Sequence, residues 1–244
     1  GGTTDYGDYN ILVLEHLAAT AEPPRPFDVA DLIPHWINRL ENDWGSWICT
    51  MTRETYAQVK QGAPIEQLGG FSNAMALRHV AAHAYYETEE ELVDVARKSM
   101  FTHKDAHALG GGEFFARVTC RVINGATPAV AIQDVAGKMG GFFEIKTDQA
   151  IDKVKEEADP NSALSKEAFS DDLALTSMAR LWDIGRSEPI KVGKASPTEG
   201  TLPGAVYFIL KYADQKEGLK TALQANTMVG GDNASRGMAI GMVL

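Results

Sequence analysis

Two short oxygen-rich segments, one near each end of the 244-residue sequence, carry the side chains best suited to chemistry. Close to the C-terminal end, Val229-Gly230-Gly231-Asp232-Asn233-Ala234-Ser235-Arg236 sets two glycines ahead of a run of oxygen donors. The glycines permit a sharp turn, and the apolar Met238-Ala239-Ile240-Gly241-Met242-Val243 that follows buries the base of the segment. Asp232 and Ser235 are three apart, so a helical turn puts them on one face, about 5–6 Å apart at Cβ. That arrangement suits a hard divalent cation, which prefers oxygen ligands. A structural role is the stronger reading of this segment alone, because Asp232 or Asn233 can simply cap the last helix. At the other end, Thr3-Thr4-Asp5-Tyr6-Gly7-Asp8-Tyr9-Asn10 also leads straight into an apolar helix, with Asp8 as its expected cap. Taken alone, each segment reads as a cap. Two Asp-bearing loop-to-helix starts in one chain point further.

Other candidates carry weaker signals. His103 and His107 are four apart, a spacing that can bind zinc on a helix face, but no H-E-x-x-H pattern accompanies them. His103 is read as lining a site or capping, and His107 as structural. His79 and His83 share the spacing and are read as structural. Lys191–Gly200 offers donors to a pyrophosphate without the glycine spacing of a Walker A loop, and a solvated loop is its simpler reading. Trp36, Trp44 and Trp47 read as helix packing, with base stacking as the alternative.

The formal charge of −10 and pI near 5.1 argue against non-specific nucleic-acid binding, so a phosphate-bearing ligand would need a local cluster of donors. Cys49 and Cys120 form no C-x-x-C motif, read as small core residues, and fit the cytoplasm or another reducing compartment. No apolar run approaches the roughly 20 residues of a membrane span. The sequence opens at Gly1 without an initiator Met and closes within an apolar run, so both ends read as cut and leave room for a targeting segment.

The elements that must position these residues are helical. Asp8 is expected to cap a helix bearing Ile11, Leu12, Leu14 and Leu17, and Asp28 one bearing Leu32, Ile33, Trp36 and Leu40. Thr88 and Glu91 form a capping box for Glu89–Phe101. Further helices are predicted at Asn73–Tyr86, Asp105–Asn124, Thr127–Lys138, Thr147–Ala158, Asp171–Ile184, Leu202–Tyr212, Lys216–Met228 and Ser235–Val243. Strand-like alternation is almost absent, and no long polar linker divides the chain. The fold class is therefore all-α, a single compact multi-helix domain over residues 1–244.

Read in order, these segments resemble the ADP-ribosylglycohydrolase family, which includes the dinitrogenase-reductase-activating glycohydrolases and crystallin-like proteins. Gly230–Ser235 looks like the family's G-G-D-T-D-T signature, and Asp5-Tyr6-Gly7-Asp8 stands in the place of Y-T-D-D. Gly69–Met75 resembles G-S-G-N-x-x-M-R, Phe101–Ala106 resembles S-x-x-T-H-x-x-A, and Leu202–Tyr207 resembles T-L-x-x-A-L-x-x-F. The departures are specific. The family's opening G-x-x-x-G-D-A-x-G helix is missing, Tyr6 and Gly7 replace Thr and Asp, and Ala234 stands where the second Asp of the signature belongs.

The resemblance implies hydrolysis of a glycosidic bond to ADP-ribose, with Mg²⁺ held by Asp8, Asp232 and Ser235. Asn233 is implied as a neutral substitute ligand and Asp5 as a shifted one. It further implies Asp8 and Asp232 as the catalytic carboxylates and Ser72, Asn73, Arg78 and His103 as substrate-binding residues. Arg78 would meet phosphate, a surface ion pair being its other reading. One firmly bound Mg²⁺ is expected, because the lost carboxylates leave a second ion short of ligands. The expected partner is ADP-ribose or an ADP-ribosylated substrate, with no nucleic acid and no membrane. The resemblance also leaves room for a catalytically degenerate member that binds ADP-ribose or serves as a structural subunit. The starts of the first and last helices are expected to meet.

Overall fold

A computed structural model describes residues 2–19, 25–161, 196–229 and 231–244. The predicted helix at Asp171–Ile184 and the first half of the Lys191–Gly200 loop lie outside the described residues, and Thr198–Gly200 of that loop open a helix. Among the described residues there is no β-strand, an isolated bridge joins Gly70 to His103, and the fold is all-α. Two compact units divide the chain, residues 1–120 and 121–244.

The first unit contains α1 (Asp5–Ala19), α2 (Val29–Asn42), α3 (Thr50–Lys60), α4 (Glu89–Ser99) and most of α5 (Ala106–Ile123). Asp28 caps α2 by accepting from the Ala30 amide, as its sequence position predicts. Thr88 and Glu91 close the predicted capping box on α4, which ends at Ser99. Asp105 accepts from the His107 and Ala108 amides at the start of α5. The core is built on Tyr9, Leu12, Val13, Leu32, Trp36, Leu92, Val95 and Ala116, all essentially buried.

The second unit contains α6 (Pro128–Met139), α7 (Gly141–Ala158), α8 (Thr198–Tyr212), α9 (Gly218–Val229) and α10 (Asn233–Val243). Thr127 caps α6, with Pro128 at the position where its missing N–H costs nothing. Every residue from Thr201 to Ile209 on α8 is buried, so this helix is apolar all round and serves as the unit's axis. It packs against α6, α7, α9 and α10.

Two expectations need correction. Residues Asn73–Tyr86 form no α-helix: the chain runs irregularly to a 3₁₀ turn at Val80–Ala84. The physical reason is the consecutive burial of Met75, Ala76, Leu77, Arg78 and His79, a pattern that no single helix face can provide. Asp8 is not a cap either, since α1 starts a turn earlier and the Asp8 amide already donates to the Thr4 carbonyl at 2.9 Å. Among smaller differences, α7 begins at Gly141 rather than Thr147, and Cys49 is only half-buried, its sulfur 3.2 Å from the Thr52 hydroxyl, whereas Cys120 lies in the core.

Candidate active site

In the first unit, three of the segments singled out by sequence come together around the start of α1. Asp5 and Asp8 share a face of this helix, Asp5 half-buried and Asp8 3% exposed. Asp8 Oδ1 lies 3.5 Å from an Arg39 guanidinium nitrogen on α2, and Arg39 also bonds Glu15 at 2.8 Å. Asp8 Oδ2 is buried with no hydrogen-bond partner. A buried carboxylate oxygen left in that state costs free energy until a cation, a donor or water reaches it.

The next two residues of α1 hold the 70–80 segment in place. The Tyr9 hydroxyl accepts from Trp36 Nε1 at 3.1 Å and is hydrogen-bonded to the Thr52 hydroxyl at 2.8 Å. Burial raises the Tyr9 pKa, with the Arg78 charge opposing it. The Arg78 guanidinium stacks 3.4 Å from the Tyr9 ring and donates to the Ser99 carbonyl. Arg78 is therefore a buried cation and not part of a surface ion pair. The Asn10 side chain donates to the Tyr6 and Leu77 carbonyls and accepts from the Val80 amide. These bonds supply what the missing helix would otherwise have satisfied internally.

Gly69 and Gly70 bring the third segment in. The Gly70 amide donates to the Thr102 carbonyl and its carbonyl accepts from the Lys104 amide, making the bridge to His103. Gly69 has φ +92°, and a Cβ there would stand 2.8 Å from the Phe101 carbonyl oxygen, so only glycine fits. Ser72 and Asn73 are half-buried just beyond, and the Ser72 hydroxyl accepts from the Ala74 amide. His103 is 6% exposed with Nδ1 2.9 Å from the Thr102 hydroxyl. Burial, and secondarily the Arg78 charge, push its pKa down to about 3, so it is a neutral ring near pH 7. It precedes α5, so His103 and His107 do not share a helix face as their spacing suggested. Among the described residues no three His, Cys, Asp or Glu side chains converge as a metal cluster.

In the second unit, Gly231 turns with φ +67° and Asp232 caps α10, its Oδ1 accepting from the Ser235 amide at 3.2 Å. Asp232, Asn233 and Ala234 are half-buried, whereas Ser235 is fully buried. Asn226 on α9 braces this turn, donating to the Asn233 carbonyl at 2.8 Å and accepting from Arg236 Nε at 2.7 Å. Arg236 is 2% exposed. Its burial lowers its pKa to about 10, with the Asp232 charge acting the other way.

Sequence reasoning passed over Tyr9, Asn10, Arg39, Asn226 and Arg236. Tyr9, Asn10 and Arg236 close the two oxygen-rich segments themselves but were given no role there, and that position was a usable signal. Arg39 and Asn226 act across helices and leave no local trace. The tryptophans divide: Trp36 is fully buried, Trp44 meets Tyr9 edge-on at 5.0 Å, and Trp47 is exposed beneath Arg53.

The ADP-ribosylglycohydrolase family model matches residues 1–244. The chain belongs to this family. Membership places it among glycosidic-bond hydrolases acting on ADP-ribose conjugates, as the ordered segments implied. The match spans both compact units of this ADP-ribosylglycohydrolase. No curated protein and no solved structure gave a match. Among the described residues no helix is long and apolar enough to cross a membrane.

Proposed function

We propose that this ADP-ribosylglycohydrolase is a Mg²⁺-dependent hydrolase that removes ADP-ribose from a protein side chain or small conjugate. The observation that carries the reading is Asp8 Oδ2, a buried carboxylate oxygen with no partner in a position that the family uses for metal. An orphaned, desolvated oxygen of this kind fits a hard cation. Asp5 supplies a second carboxylate on the same face of α1, and Asp232, Asn233 and Ser235 are the ligand positions of the second unit. When bound, the ion would polarise ribose oxygens and water. The chain's own part is to hold a carboxylate at Asp8 or Asp232 that orients or deprotonates water. Neutral His103 and half-buried Ser72 and Asn73 line the sugar, and Arg78 provides positive charge beside them.

A second reading has its own support. Arg39 beside Asp8 and Arg236 beside Asp232 each offset the negative charge that a metal would use, which favours a degenerate member binding ADP-ribose without hydrolysis. Calorimetric Mg²⁺ titration of the wild type and Ala234→Asp separates the two. The hydrolase reading expects one firmly bound ion, tighter binding when the carboxylate is restored, and release of ADP-ribose from a modified protein that Asp8→Asn abolishes. Unchanged Mg²⁺ affinity in Ala234→Asp would show that Ala234 does not stand at a ligand position. Hydrolysis that persists in Asp8→Asn would refute the role of Asp8.

A further inference from the structure

We propose that His16 of α1 and His35 of α2 form a binding site for a transition-metal ion of the zinc class, tying the two helices together. The two Nδ1 atoms face each other at 3.4 Å, with ring centroids 5.2 Å apart and planes inclined at 71°. That separation is long for a good hydrogen bond from a ring N–H, which lies near 3 Å. It matches the edge of a tetrahedral ion: two nitrogens each ~2.0–2.1 Å from zinc stand about 3.4 Å apart.

Access and charge agree with the geometry. His16 is 3% exposed, whereas His35 sits on the exposed face of α2, so an ion can reach the inner ring past the outer one. Burial, and next the neighbouring His35, hold the His16 pKa below its ordinary value, keeping the ring in the neutral form that ligates. Asp31 lies one turn before His35 on the same face of α2, and its charge favours a cation beside His16, with Arg25 acting in the opposite sense. No third His, Cys, Asp or Glu among the described residues closes on the pair. A site with two imidazole ligands binds its ion more weakly than a closed four-ligand site.

Two imidazoles select zinc, nickel or copper and disfavour magnesium. This site is thus chemically separate from the oxygen ligands at the start of α1, about 12 Å away along that helix by its rise per residue. Its consequence is mechanical. α1 carries Asp8 and α2 carries Arg39, one turn beyond His35, so an ion on the two histidines fixes the helix pair that holds the Asp8–Arg39 contact.

Zn²⁺ titration of the full chain without any added histidine tag, in the presence of millimolar Mg²⁺, tests the proposal. One saturable equivalent is expected, with a raised thermal midpoint that Mg²⁺ does not suppress. His35→Ala, an exposed substitution, should weaken Zn²⁺ binding at least tenfold while circular dichroism stays unchanged, and His83→Ala should leave it intact. Absence of Zn²⁺ binding, equal binding in His35→Ala, or a loss confined to His83→Ala would each overturn the assignment. Asp8→Asn should retain the Zn²⁺ equivalent, which distinguishes this site from the proposed Mg²⁺ position.

Discussion

Acid stability offers a quantitative check on how the first unit is packed, because several of its histidines are buried without compensation. His79 is 0% exposed and neither ring nitrogen has a partner; burial first, and His83 second, push its pKa down to about 3. His103 is held at about 3 by burial and Arg78, and half-buried His83 is lowered to about 4 by burial. A histidine whose folded pKa lies below its unfolded value, near 6.5, binds fewer protons in the folded state. Its stabilising contribution is complete above pH 6.5 and is lost progressively as the pH falls towards the folded pKa. Each such group changes stability by about 1.4 kcal/mol per pH unit within that window. His79 and His103 together should therefore remove about 4 kcal/mol between pH 7 and pH 5, a large share of the ~5–15 kcal/mol typical of a domain. His83, more exposed, adds a smaller screened amount, and His16 acts in the same direction. Glu91 and Glu113, whose pKa values are lowered, contribute loss of the same sign only nearer pH 4.5, so the interval from pH 5 to 6.5 belongs to the histidines. Urea unfolding at half-unit pH steps measures the slope directly. His79→Gln should reduce that slope by about 1.4 kcal/mol per pH unit, whatever its effect on absolute stability. A flat profile between pH 7 and pH 5, or an identical slope in the variant, would refute the burial argument.

Two further substitutions test local structure. Thr88→Ala removes the side-chain half of the capping box on α4, leaving the bond from the backbone amide of residue 88 to Glu91, and should cost about 1 kcal/mol, read as a lower urea midpoint with an unchanged m-value. Gly69→Ala should destabilise more than Gly125→Ala, although both have φ above +90°. The first adds a Cβ 2.8 Å from the Phe101 carbonyl to a backbone cost of about 1–3 kcal/mol, and the second meets open space, a ranking that thermal unfolding checks.

Helix identity was legible where local chemistry decides it. Asp28 and Thr88 with Glu91 each cap the helix their positions predicted, and Thr127, expected inside its helix, caps it as well, because a side-chain oxygen beside free amides needs no distant partner. Asp232 also caps, the plainer of its two readings, its Oδ1 accepting from the Ser235 amide. Residues 73–86 were illegible because their backbone is satisfied from elsewhere: Asn10, some 70 positions away, supplies bonds at Leu77 and Val80. The resemblance picked out three segments of the first unit that meet around Tyr9, Asn10 and Gly70. It gave no sign of Arg39, whose pairing with Asp8 depends on the packing of α1 against α2.

The two arginines frame the central electrostatic question of this family member. A cation bound at Asp8 must share the carboxylate with Arg39, and Coulomb repulsion between a divalent ion and a guanidinium a few ångströms away opposes binding by ~1 kcal/mol or more, according to local screening. The geometry divides the carboxylate between them: Oδ1 faces Arg39, and Oδ2 is buried and unpartnered. Removing Arg39 alone would take away the charge partner of a buried Asp8, which is costly. Arg236 stands in a similar electrostatic relation to Asp232. Each unit thus holds an acidic residue with an arginine of the same unit acting on it, Asp8 with Arg39 and Asp232 with Arg236. Under the proposed reading such residues would accept a cation without requiring one, and this property would allow binding of ADP-ribose to outlast strong metal dependence as ligands are lost.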